Sequence, residues 1–215
     1  MIDIVILGAG GHARELADIV RARIDDGEAW NLVGFLDDDA SKHGTELTEG
    51  PVLGSMAWLD GRATGNLRAV VGIGGPKSRR RVVAQAREHD LQFVSLVHPS
   101  ASLTRHIALA EGVVITAGCV LTNTITIGEH THVNRCTTIG HDCNVGAYVH
   151  LAPGVVLSGN VTVEDGCDIG TRAAIIQGLR VGADTIVGAG AVVVRDLPAR
   201  CTAVGVPARV ISTRP

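Results

Sequence analysis

Two adjacent side chains, His141 and Asp142, carry the clearest chemical signal in this sequence. Imidazole accepts a proton near neutral pH, and a neighbouring carboxylate can orient the ring and stabilise the imidazolium. That pair suits removal of a proton from an attacking nucleophile; the competing reading is a solvated turn histidine. Asn134, seven residues earlier, can position the base or a sugar, and equally can stabilise a turn. A second candidate site lies near the start of the chain. Gly8-Ala9-Gly10-Gly11-His12 follows the apolar run Ile2–Leu7 and opens a helical pattern through Leu16, Ile19 and Val20. Glycines let a backbone approach phosphate oxygens, and a helix N-terminus offers free amides and positive dipole. Asp37 and Asp38 end the next strand pattern, Leu32–Leu36, where an acid can bind ribose hydroxyls. A tight turn with no ligand is the alternative for this loop.

The elements that must position these groups fall into two halves with different rhythms. In residues 1–98, strand and helix patterns alternate: a third strand, Ala69–Ile73, runs into Gly74-Gly75-Pro76, with Pro76 suited to the first turn of a helix. Phe93–Val97 closes the unit before His98-Pro99. This order predicts a small Rossmann-like α/β domain. A dinucleotide site calls for a full six-stranded sheet, for which the stretch is too short; a mononucleotide carried on a sugar fits better.

Residues 99–215 follow another rule. From Leu103 to Val193 every sixth residue is Leu, Ile or Val, 16 times in succession. A period of six fits neither helix nor alternating strand and marks a parallel β-helix of hexapeptide repeats. Three repeats make one triangular coil, so residues 18 apart stack. The stretch Leu103–Val192 then gives five coils, roughly 24 Å tall. His141 is third in its hexapeptide, near the edge of a coil face, from where it can point outward. His132 and His150 are 18 apart and should share one corner, with His132 exposed. Cys119, Cys143 and Cys167 occupy the fifth position of their repeats, as small core residues.

Composition removes several function classes. A net charge of -3 with both signs interspersed argues against a nucleic-acid or anionic-membrane partner. No apolar run approaches a membrane span, and Ile2–Leu7 is too short for a signal peptide. Five cysteines, an odd number, read as a cytoplasmic chain without a disulfide framework. Their spacing suggests no metal site, and His130, His132, His141 and His150 lack a close His-x-x-x-x-His pair. A zinc-binding prism of the γ-carbonic-anhydrase kind is therefore disfavoured.

Gly8–His12, Phe35-Leu36-Asp37-Asp38, Gly72-Ile73-Gly74, His98-Pro99-Ser100, Asn134 through His150 and Gly205–Arg209 together carry a family likeness. The chain resembles the hexapeptide-repeat sugar acetyltransferases, in particular the N-acetyltransferases of nucleotide-linked 4-amino sugars (bacillosamine and perosamine enzymes) and the related sialic acid O-acetyltransferases. The resemblance implies a left-handed β-helix and acetyl-CoA as co-substrate, with no metal. It implies transfer to the amine of a nucleotide-linked 4-amino-4,6-dideoxy sugar, with O-acetylation of a sugar or sialic acid as the alternative. His141 would be the general base for direct attack on the thioester, and Asp142 would raise its basicity. His150 would lie along the acetyl-CoA channel, Gly159 would supply an oxyanion-binding amide, and Thr171 and Ala189 would line the coenzyme groove, with Arg209 facing its phosphates. Gly10, Gly11, His12 and Gly74 would contact the nucleotide-sugar. Gly75 departs from the Asn or Asp that relatives often carry there. A homotrimer with its site between two subunits is also implied.

Overall fold

The computed structural model describes residues 1–214. The chain forms two compact units, Met1–Pro99 and a second from Ser100 onward. In the first, β1 (Ile2–Leu7) leads into α1 (Gly11–Asp25) and β2 (Trp30–Leu36). A short hairpin follows, β3 (Glu46–Leu47) and β4 (Gly50–Gly54), then β5 (Leu67–Val71), α2 (Pro76–Glu88) and β6 (Gln92–Phe93). The sheet runs β3-β4-β2-β1-β5-β6, antiparallel only at the β3–β4 edge. Its central strand β1 is apolar from Ile4 to Leu7 and wholly buried, as a two-sided parallel strand must be. α1 buries Ala13, Leu16, Ala17, Ile19 and Val20, a helical stripe, and α2 starts with Pro76 in its first turn.

Two expectations about this unit need correction. The sheet does have six strands, although β3 and β6 are two residues each, so its length was no bar. β5 also ends at Val71 rather than Ile73, and the cause is packing at Gly72. A Cβ there would stand 2.5 Å from the Cβ of Ala13, so the chain leaves the sheet where α1 crosses close over it.

The second unit is a left-handed parallel β-helix. One of its three faces stacks Ser102–Leu103, Val120–Leu121, Thr138–Ile139, Val156–Leu157, Ala174–Ile175 and Val192–Val193. Register is 18 residues throughout, as in Val120↔Thr138 and Thr138↔Val156. The second residue of each pair points inward, and Leu121, Ile139, Leu157, Ile175 and Val193 are buried. Each such side chain contributes about 1.5–3 kcal/mol on burial. Cys119, Cys143 and Cys167 are buried beside these rows and donate weak S–H bonds to carbonyls, which fits their repeat position. The corners are tight turns whose second residue adopts positive φ, among them Thr124, Asp142 and Asn160. Past Val193 the chain forms Cys201–Val204, which pairs with Ile186–Val187 and then with antiparallel Arg209–Thr213.

His132 and His150 do stack, but as cross-strand neighbours on a flat face, not at a corner. His132 is only 1% exposed, contrary to expectation, and its ladder neighbour Val114 is as deeply buried at 0%, so this part of the face is covered where the outward positions of other mid-stack strands are open.

Candidate active site

His141 sits on a corner turn directly after Thr138–Ile139 and Gly140. Its Nδ1 is 2.8 Å from Oδ2 of Asp142. Adjacent residues meet this way because Asp142 takes φ 61°, the left-handed region that Asp tolerates better than most residues. The pair is open to solvent, with side chains 68% and 55% exposed. A carboxylate on Nδ1 fixes the tautomer that leaves the Nε2 lone pair free.

One coil away, 18 residues on, lies Gly159. A Cβ at Gly159 would stand 2.6 Å from both Cε1 and Nε2 of His141. The imidazole therefore lies over a patch that only glycine leaves vacant, with its Cε1–Nε2 edge toward the Gly159 backbone. The ladder continues beneath it: Asn160 N–H donates to the His141 carbonyl at 2.7 Å, and Gly178 N–H to that of Gly159 at 3.0 Å. Gly140 packs its α-carbon against the same segment, since a Cβ there would come within 2.7 Å of the Gly159 nitrogen. These three residues, His141, Asp142 and Gly159, form one compact constellation able to take a proton beside a backbone amide.

The other expected residues of this unit lie elsewhere on one prism. Asn134 is buried, and its Oδ1 accepts from Arg135 N–H at 2.8 Å, the work of a turn amide. His150 lies between His132 and Asp168 in a different sheet from Thr138–Ile139. Thr171 and Ala189 are exposed and 18 apart, on the corner that leads into the face carrying Ala174–Ile175 and Val192–Val193. Within a single chain they do not join His141.

In the α/β unit, Gly8 takes φ 102°, which favours glycine, and turns the chain from β1 toward α1. Gly10 and Gly11 face open space, where an added Cβ would meet nothing within 4 Å apart from the Arg14 guanidinium at 4.0 Å from Gly11. His12 Nδ1 lies 3.5 Å from Glu15. Asp37 is engaged by its own chain: Oδ2 accepts from Ala9 N–H at 2.7 Å, Oδ1 from Asp39 N–H at 2.9 Å, and Lys42 Nζ reaches both at 3.2 Å. Burial pushes this carboxyl up, but the two amides and Lys42 outweigh it and hold it below the usual carboxylate range. It shapes the loop that follows β1, and Asp38 takes part in none of these bonds. Gly74 and Ile73 each give their carbonyl to the guanidinium of buried Arg79, at 2.6 and 2.9 Å.

Above the ends of β1 and β2 is a pocket of about 180 Å³ whose lining includes Gly8, Asp37, Asp38, Ile73, Arg81 and Gln85. Sequence reasoning missed Arg81 and Gln85, because polar residues on an amphipathic helix read as solvent-facing. Gly159, by contrast, has a sequence signal of its own: it stands one whole coil after His141.

Comparison with known proteins places the chain among acetyltransferases. The model of the PglD N-terminal domain matches residues 3–86. GDP-perosamine N-acetyltransferase of Escherichia coli O157:H7 is 32% identical over 98% of this chain and 96% of its own length. A His-to-Asn variant of perosamine N-acetyltransferase from Caulobacter crescentus, solved with CoA and GDP-perosamine, superposes with a TM-score of 0.89 at 36% identity, covering 98% and 97% of the two chains. The acetyltransferase domain of PglB from Neisseria gonorrhoeae FA1090, solved with acetyl coenzyme A, gives 0.88 at 30% identity over 97% and 98%.

Proposed function

Since this chain belongs to the family of GDP-perosamine N-acetyltransferase and its relatives, we propose that it transfers acetyl from acetyl-CoA to the amine of a nucleotide-linked 4-amino-4,6-dideoxy sugar. The observation that carries this reading is the imidazole held by Asp142 on one nitrogen and laid over Gly159 at the other. Acetyl-CoA supplies the acyl group as an activated thioester. His141 Nε2 takes the proton that the sugar amine must lose as its nitrogen bonds to the acyl carbon. Asp142 stabilises the resulting imidazolium. The Gly159 N–H is the donor for the oxygen on which negative charge develops, and the missing Cβ lets reactants approach it. The imidazolium then returns its proton to the departing sulfur, leaving an N-acetyl sugar and free CoA.

The α/β unit is the proposed nucleotide-sugar lobe, through Gly10, Gly11, His12, Asp38 and Gly74, with Asp37 setting the shape of the loop. His150, Thr171 and Ala189 serve the same reaction from another copy of the chain in a homotrimer, because one prism keeps them away from His141, while Asn134 holds its own turn. Outward residues support a packing face: Val120 and Val156 are 41% and 42% exposed on the face that holds Thr138–Ile139. No helix among the described residues is long and apolar enough to cross a membrane; the proposed place of work is the cytoplasm.

The test is a panel of nucleotide-linked amino sugars and hydroxy sugars with acetyl-CoA, run on the wild type and on His141→Ala. N-acetylation that disappears in the variant while acetyl-CoA still binds supports the proposal. Undiminished turnover in His141→Ala, or acetylation confined to hydroxyl acceptors, overturns it.

A further inference from the structure

We infer that Gln177 completes the site as a second donor to the oxygen of the transferred acyl group, beside the backbone N–H of Gly159. The inference rests on the proposed function and deepens it, by adding a catalytic side chain to the reaction. His141, Gly159 and Gln177 occupy the same place in successive coils, each two residues past an inward aliphatic side chain (Ile139, Leu157 and Ile175). Ladder bonds tie them together, with Asn160 N–H donating to the His141 carbonyl and Gly178 N–H to the Gly159 carbonyl. At three equivalent places in the prism, a side chain takes up the backbone N–H. Asn134 Oδ1 accepts from Arg135 N–H at 2.8 Å, Asp165 Oδ1 from Ala147 N–H at 2.8 Å, and Glu164 Oε2 from Ala183 N–H at 2.7 Å. The Gly159 N–H has no such acceptor among the described residues, so it stands open to a ligand.

Asp165 shows how far a side chain reaches here. It stands 18 residues, one coil, beyond Ala147, and still places its carboxylate on the Ala147 N–H. Gln177 bears the same relation to Gly159, is exposed, and is one methylene longer. Its carboxamide therefore reaches past the Gly159 N–H to an oxygen bound there, and its NH2 group has donors to offer. His141 comes from the other side, since a Cβ at Gly159 would meet its Cε1 and Nε2 at 2.6 Å. Base and donor thus flank one backbone amide from the two neighbouring coils. As the sugar nitrogen bonds to the acyl carbon, the carbonyl electron pair moves onto oxygen, and it returns as the carbon–sulfur bond breaks. Between these events the oxygen carries negative charge, and a second donor aimed at it lowers the barrier further. A carboxylate at this position would do the reverse, capping the amide as Asp165 does and repelling the charge.

Steady-state kinetics of the full-length protein, with acetyl-CoA and GDP-, UDP- and dTDP-linked 4-amino sugars, test the inference. Gln177→Met keeps the length of the side chain and removes its donors. It should lower kcat by at least about tenfold, toward the roughly hundredfold cost of a lost oxyanion donor. KM for acetyl-CoA should change by less than about threefold, as for an interaction made only in the transition state. The pH dependence of kcat should keep its wild-type midpoint in this variant, because His141 and Asp142 are intact. Gln177→Glu should be slower still. Gln177 is exposed, so both variants should melt close to wild type. A kcat within about threefold of wild type in Gln177→Met, or a raised KM for the sugar at unchanged kcat, overturns the assignment. Wild-type turnover in Gln177→Glu overturns it too, and each of these results leaves sugar acetylation standing. A wild type that acetylates none of the three sugars overturns the proposed function as well.

Discussion

Gly159→Ala is a sharp probe of the site, because it moves the imidazole while leaving the histidine itself unchanged. The added methyl carbon would lie 2.6 Å from Cε1 and Nε2 of His141. Carbon contacts settle at about 3.5–4.0 Å, so the ring must retreat by about 1 Å. The His141 side chain is 68% exposed and has somewhere to go. The backbone at Gly159 is not in the positive-φ region, so alanine is conformationally acceptable and the stability change should stay within about 1 kcal/mol. Catalysis should not be spared: a misplacement of about 1 Å costs on the order of a hundredfold, or about 2.7 kcal/mol in barrier. Steady-state kcat, followed by release of the CoA thiol, reads the loss, and a thermal melt reads the stability. Adding the same change to His141→Ala should slow the enzyme little further, since the two residues act as one unit. Wild-type kcat in Gly159→Ala, or full additivity in the double variant, would refute the reasoning. Gly140→Ala makes the contrast: its Cβ would strike backbone, 2.7 Å from Gly159 N and 2.8 Å from the Ser158 carbonyl carbon, so it should cost stability first.

Three further outcomes are expected. Asp142→Asn keeps a residue that tolerates φ 61° but removes the charge, so kcat should fall by about tenfold or more while the melting temperature stays close to wild type; an unchanged kcat would show that the carboxylate is idle. Asp37 is held below its ordinary value of 3.8, so its stabilising contribution is present above that value and is lost as pH falls through the lower folded-state value. The melting temperature should therefore fall more steeply in the wild type than in Asp37→Asn as pH drops below about 4, and parallel falls would contradict the assignment. Finally, iodoacetamide should label exposed Cys136 in the native protein and leave Cys167, whose thiol burial pushes up to about 12, untouched until unfolding; native labelling of Cys167 would be the contrary result.

The prism was legible in the sequence because every coil repeats the same demand. One inward aliphatic residue per face gives a period of six, and three faces give a stacking distance of 18. That distance alone puts Gly159 beneath His141, and the fifth-position rule puts the cysteines in the core. The α/β unit was read less fully. The hairpin of β3 and β4 has too few residues to show a pattern, and the end of β5 depends on the close pass of Ala13 over Gly72, a contact between segments far apart in sequence. His132 looked like a surface residue by type, whereas it shares its burial with its ladder neighbour Val114 on a covered part of one face, which the repeat pattern does not reveal. The two aspartates after β2 could not be told apart until the amides of Ala9 and Asp39 were seen on Asp37.

Because each turn of the solenoid presents the same backbone at the same corner, Asn123, His141, Gly159 and Gln177 form a graduated column. An imidazole moved along it can only jump by whole rungs of about 4.8 Å. Transplanting the trio together, to Gly159, Asn160 and Gln177 as histidine, aspartate and glycine, would redraw the same constellation one rung further along the column. Reach toward a longer or shorter acceptor is thus a digital property of this scaffold, tunable by counting coils rather than by reshaping loops.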